Sequence, residues 1–178
     1  EDPVIQSLID WLDDLGPRIH MAFFEADRWK LYLQGFGTTM ELTVVALVIG
    51  VILGLVVAMI RTAHDQQRPG RRKNPLLGVI NALCHIYTTV IRGTPMLVQL
   101  FIWSFVILKT EHNKVLVGFI GLGVNSGAYV AEIIRGGLMS VDIGQTEAGR
   151  SLGLNYLDTM RFIVIPQAFT AILPSLGN

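Results

Sequence analysis

Of 178 residues, 51% are hydrophobic and only 16% are charged, a balance that excludes an ordinary soluble domain and points to a membrane protein. Lysines plus arginines and aspartates plus glutamates each number 14, so the total charge carries no argument for nucleic-acid or acidic partners, and position along the chain matters instead. One cysteine, Cys84, lies in an apolar stretch and is read as packing, with no disulfide or metal site implied.

Residues 1–34 are acidic and amphipathic. Ile5, Leu8, Ile9, Leu12 and Leu15 recur at helical spacing with Asp10, Asp13 and Asp14 between them, which predicts an interfacial or surface helix ending at Gly16-Pro17. This segment lacks the basic start and apolar core of a secretory signal. Leu42 to Ile60 carries no charge and is long enough for a first membrane span, with Gly50 and Gly54 four residues apart for close helix approach. The following RTAHDQQRPGRRKNP sets Arg61, Arg68, Arg71, Arg72 and Lys73 against Asp65 alone. By the positive-inside rule this is a cytoplasmic loop, and a DNA-binding patch is the sharper alternative.

Leu76 to Leu108 is too long for one perpendicular span, so a shallow helix leading into a second span is expected, joined at RGTP, Arg92 to Pro95. KTEHNK forms a polar turn, and a third span runs from Val115 to about Ile134, uncharged until Glu132. A fourth begins near Met160, contains Pro166, expected to kink it, and Pro174, and reaches the last residue. The fold class expected is all-α: a polytopic transmembrane helical bundle of about four visible spans. Crossing count and the basic loop place the N-terminus outside and the stretch after Arg135 in the cytoplasm.

That stretch, VDIGQTEAGRSLGLNYLDTMRFIVIP, reads as two helices around a turn. Asp142 is a start signal with Gln145 as capping-box partner, Gly153 is a left-handed stop, and Asn155 with Asp158 repeats the start. Gly149 and Gly153 leave one side thin, suited to docking in a groove. No nucleophile and base stand at useful spacing, so no catalysis is expected here. A DNA-binding helix-turn-helix is the competing reading, and the apolar continuation FIVIPQAFTAILP argues against it.

Glu147-Ala148-Gly149, three residues, Gly153, nine residues, Ile163, one residue, then Ile165-Pro166 resembles the EAA signature of ATP-binding-cassette importer permeases. Gly149 stands where that pattern has alanine and Ile165 where it has leucine. GTTMELTVVALVIGVILG, VIRGTPMLVQLF and NSGAYVAEIIRGG are similar to the polar amino acid branch of the same family, so the resemblance covers 35–178 as a transmembrane domain, with 1–34 outside it. It implies an amino acid importer subunit in the inner membrane, paired with a second permease subunit, two cytoplasmic ATPase subunits that bind the ATP and Mg, and an extracytoplasmic substrate-binding protein. It implies no cofactor and no hydrolysis in this subunit, and coupling to the ATPase through Glu147, Ala148, Gly149, Arg150 and Gly153. Five spans are usual in the family, so a chain incomplete at its C-terminus is expected.

Within the spans, Asn125, Ser126 and Tyr129 are candidates to line a substrate pathway, with Thr94 and Pro95 exposing backbone groups at a helix break. Two readings stand for Glu132, pathway or structural ion pair, whereas Arg92 and Arg135 are read as paired or reaching to the membrane edge. His85 is read as packing. A gated channel subunit and a membrane-tethered DNA-binding regulator are the alternative functions.

Overall fold

The computed structural model describes residues 3–66 and 74–177, in two compact units, 1–43 and 44–178. Among the described residues there are helices, turns and short connections and no strand. Arg68, Arg71, Arg72 and Lys73 of the basic stretch lie outside the described residues.

In the N-terminal unit α1 spans Pro3–Phe23 and passes through Gly16 and Pro17, where a stop was expected. Proline removes one backbone donor, but the apolar stripe stays in phase on both sides of it and the Asp14–Arg18 ion pair bridges it. A single 3-10 turn, Glu25–Asp27, follows, with Ala26 and Asp27 at φ of 53° and 59°. α2 then starts at Trp29 and runs to Asp65. Its 37 residues rise about 55 Å, well beyond the uncharged core that the sequence marks. Thr38, Thr39 and Thr43 return their hydroxyls to the carbonyls of Gln34, Gly35 and Thr39, which lets polar residues sit on a helix that enters an apolar solvent.

The second unit is organised on α5, Lys114–Met139, whose start is capped by Asn113 accepting from Val115 and Leu116. Its buried positions are mostly glycine, alanine and valine, the residues that let helix backbones meet where lipid supplies no hydrophobic drive. Ile49 lies against Gly123, Leu53 against Gly127, and Gly54 against Val130 and Ala131. Numbers rise together on both helices, so α2 and α5 run parallel.

α3, Pro75–Gly93, is capped by Asn74 with Pro75 at its first position, and α4, Met96–Ile107, follows after the RGTP bend. Arg92 stacks on Tyr129, Gln99 bonds Asn125, and Leu100 and Trp103 lie against Gly121. Along α4 the α5 numbers fall as its own rise, so the chain makes its return between parallel α2 and α5 here. This corrects the expected division of labour. α3 is itself long and apolar enough to cross a membrane, and α4, which makes the return, is the shorter piece.

After α5 come α6, Ile143–Ser151, and α7, Tyr156–Gly177. α7 carries a π turn over Met160–Val164 immediately before Pro166, which supplies the wider turn that a proline ring and missing donor require. Its later part packs on α5, where Gly137 meets Ile172 and the Ala168 carbonyl. Among the described residues, α2, α3, α5 and α7 are the four helices with the length and composition to cross a membrane. Most of their large apolar side chains, such as Leu47, Ile52, Leu83 and Phe169, point outward, as expected with lipid as the solvent.

A Cβ on Gly54 would stand 2.6 Å from Val130 Cγ1 and 3.1 Å from the Ala131 backbone nitrogen, whereas one on Gly78 meets nothing within 4 Å. Gly54→Val is expected to cost about 1–3 kcal/mol by overpacking and Gly78→Val much less, read as loss of thermal stability in detergent.

Candidate functional site

Two polar regions stand out, one inside the helices of the second unit and one at α6. Inside, Arg61 near the end of α2 is 8% exposed and donates to Thr88 Oγ1 of α3 at 2.9 Å. Its guanidinium is also paired with Glu132 of α5. Glu132 further receives Arg135 Nε at 3.2 Å, and Arg135 reaches Asp65 of α2 at 3.0 Å. Two cations and two anions thus close on one another and tie α2, α3 and α5 together. Burial of such charges is tolerated only with this degree of pairing.

Glu132 therefore sits in an ion pair, and Arg135 is paired as the sequence led us to expect. The other arginine on Glu132, Arg61, was assigned by sequence to the basic loop. Arg92 joins neither and lies over the Tyr129 ring at 5.3 Å. Two signals were available: an ionisable residue within a span needs a partner, and Arg61 is the first cation after the uncharged core of α2.

Gln99 was missed altogether. It is 4% exposed, and its Nε2 donates to Ile91 O at 2.7 Å and Thr94 O at 2.8 Å, the carbonyls freed by the RGTP break. Thr94 Oγ1 donates to Val90 O at 2.8 Å, and Pro95 is the first residue before α4. The break at Thr94 and Pro95 is thus largely satisfied from within instead of offering free backbone groups. Asn125 Nδ2 donates to Gln99 Oε1 at 3.3 Å, so the amide chain runs from the break into α5. Ser126 lies against Gly50 of α2, and Tyr129 is 43% exposed. His85 accompanies Thr89 at 3.0 Å, one turn on, and Cys84 is a half-buried free thiol. Among the described residues no cluster could hold a metal ion.

The second region is α6. Asp142 accepts from Gly144 N at 2.6 Å, but the expected capping-box partner Gln145 turns away and accepts from Gln167 of α7 at 3.3 Å. At the other end Gly153 takes φ +82°, Gly153 N donates to Arg150 O at 2.9 Å and Leu154 N to Gly149 O at 3.1 Å, a complete Schellman closure. Asn155 starts α7 by accepting from Asp158 N at 2.9 Å, and Tyr156 donates its hydroxyl to Gln66 Oε1 at 2.8 Å near the end of α2.

Gly149 is buried, and a Cβ there would stand 3.0 Å from both Thr159 Cγ2 and Ile163 Cδ1. Its thin side is spent on α7 and not on an outside groove, which corrects the expectation for this residue. Glu147, Ala148 and Arg150 are exposed, as are Leu152 at 80% and Gly153. A Cβ on Gly153 meets nothing within 4 Å, so its requirement is conformational.

Residues 75–178, more than half of the chain, match the family described as "Binding-protein-dependent transport system inner membrane component". The chain belongs to that family and is a multi-pass inner-membrane protein. It is 34% identical over 155 residues to an arginine transport system permease protein of Corynebacterium glutamicum, covering 79% of this chain and 45% of that one. It is also 34% identical over 168 residues to an L-cystine transport system permease protein of Bacillus subtilis, covering 92% and 66%. A crystal structure of an amino acid ABC transporter with histidines superposes with a TM-score of 0.70 at 38% identity, covering 85% of this chain and 66% of that one. The chain thus spans under two thirds of the length of these curated relatives.

Glu132→Gln leaves Arg61 buried without its counter-charge and is expected to cost about 3 kcal/mol. The double variant Arg61→Met with Glu132→Leu, which removes both charges and keeps Arg135 with Asp65, should cost less than Glu132→Gln alone. Thermal unfolding of the purified protein in detergent measures both.

Proposed function

We propose that this chain is a permease subunit of an ATP-binding-cassette importer that moves amino acids across the cytoplasmic membrane. The observation that carries the reading is α6, a helix closed at both ends by its own groups, packed on α7 through Gly149, and open on the face that bears Glu147, Ala148 and Arg150. A short helix completed in this way moves as a unit when pushed. In this reading its open face seats on a partner ATPase, which binds ATP and Mg and performs the hydrolysis, while Gly153 fixes where the helix stops. This subunit then needs no cofactor and is not an enzyme.

The names of the relatives, which concern arginine and L-cystine, support amino acids as the cargo class. A second permease subunit and an extracytoplasmic substrate-binding protein complete the proposed assembly. The orientation rests on the basic stretch after α2. Since α2 and α5 are parallel and Asp65 meets Arg135, the basic stretch and α6 follow helix ends at the same level, on the cytoplasmic side by the positive-inside rule. The segment 1–34, whose last residues already belong to α2, then lies on the extracytoplasmic side.

For the pathway, Asn125 is the strongest candidate, because its amide extends the Gln99 chain from the Thr94-Pro95 break, with Tyr129 one turn further along α5. Ser126 and Glu132 are engaged with Gly50 and with two arginines, and in this proposal they position α5 instead of touching cargo. Access alternates when α6 is displaced, since the helix joins α5 to α7.

Gly153→Val forces a β-branched residue into a left-handed position. In the full-length protein it should abolish uptake into proteoliposomes while membrane insertion is retained; uptake at the wild-type rate would refute the coupling role. Asn125→Leu is expected to lower uptake severalfold with the ATPase still co-purifying. Loss of the ATPase in that variant would instead remove Asn125 from the pathway.

A further inference from the structure

α1 divides its circumference between two chemistries. Ile5, Leu8, Leu12, Leu15, Ile19 and Phe23 follow one another at spacings of three and four on one face, while Asp10, Asp13, Asp14 and Arg18 occupy the other. The apolar side is uncovered: Leu8 is 53% exposed and Leu12 58%, and among the described residues of the N-terminal unit none is buried. Such a face requires a partner, and its place in the chain identifies one. Only Phe24 to Arg28 separate α1 from α2, a helix of membrane-crossing length whose uncharged core begins at Leu42, so the chain ties α1 to the outer end of a spanning helix, on the side of the bilayer that this end faces. Phe23 stacks on Tyr32 with ring centroids 4.9 Å apart, and Trp29 opens α2 three residues before Tyr32, residue types favoured at the boundary between headgroups and acyl chains.

Three aspartates on the opposite face prevent α1 from crossing the bilayer and hold that side in water. They also set the kind of lipid contact. With Asp10, Asp13 and Asp14 against Arg18 alone, the helix carries more negative than positive charge, so anionic headgroups offer it no attraction. We propose that α1 is an in-plane membrane anchor, its Leu8–Leu12 face sunk to the acyl boundary of the lipid surface that α2 enters, held by apolar contact and independent of anionic lipid.

The test uses the full chain with Cys84→Ser, reconstituted in phosphatidylcholine vesicles, with a nitroxide placed in turn at Leu8→Cys, Leu12→Cys, Asp10→Cys and Asp13→Cys. Collision rates with oxygen, which partitions into lipid, and with a water-soluble nickel chelate give the depth of each label. Labels at 8 and 12 should favour oxygen severalfold over those at 10 and 13, with the same depth when phosphatidylglycerol is added. Equal access of all four labels to nickel would overturn the proposal. So would shielding of 8 and 12 from both reagents, which means cover by protein, whether this chain, a second copy or another subunit. Insertion that appears only with phosphatidylglycerol would overturn it as well. A Leu15→Asp variant, which leaves the labelled sites untouched, should move the labels at 8 and 12 toward water.

Discussion

In a bilayer two apolar helices have little to gain from hiding from their solvent, so their association depends on how closely their backbones can approach. The contact of α2 with α5 meets that constraint with Gly50 and Gly54 on one side and Gly123 and Gly127 on the other. Because this contact is parallel, the chain between the two helices must return once. The connecting chain is in two pieces, α3 and α4, and the bend between them is where Gln99 and Asn125 are brought together. The polar interior is therefore a consequence of which helices lie side by side.

The ion-pair cluster completes the same contact at its far end. Lipid-facing charge is costly, and two cations closed on two anions present no net charge to the surroundings. Arg61 reaches α3 through Thr88 as well, so removal of one member loosens three helices at once. Arg135 lies seven positions before Asp142, the residue that starts α6, and Tyr156 ties the start of α7 back to Gln66 at the end of α2. Both strands of chain entering and leaving α6 are thus held near the end of α2, and the helix between them inherits that fixed base.

Much of the architecture was legible in the sequence because its signals are local. Uncharged runs gave the spans, and Asp142, Gly153 and Asn155 gave the ends of α6 and the start of α7. What failed was non-local or depended on cost. Gly16-Pro17 did not end α1, since a break signal weighs little where the apolar stripe persists across it. Gln145 was read as a cap by its spacing, whereas its partner is Gln167, 22 residues away. Arg61 and Gln99 were overlooked for the same reason: their roles are defined by Glu132 and by the carbonyls of Ile91 and Thr94, and no period in the sequence connects them. Gly149 looked like a gap for a partner, and only the position of Thr159 and Ile163 assigns it to the chain's own packing.

The π turn in α7 does more than accommodate Pro166. Thr159 and Ile163 face α6, and Ala168 and Ile172 face α5, so the spacing along this stripe is four, then five, then four. In an uninterrupted α-helix the step of five would rotate the second pair well away from the first. The residue gained in the wide turn absorbs that rotation and lets a single edge of α7 serve both α6 and α5. The register of α7 is therefore written in the backbone of this segment as well as in its residues: if Met160–Val164 closed to ordinary α turns with no residue removed, Ala168 and Ile172 would turn away from α5 even though every side chain in the contact remained.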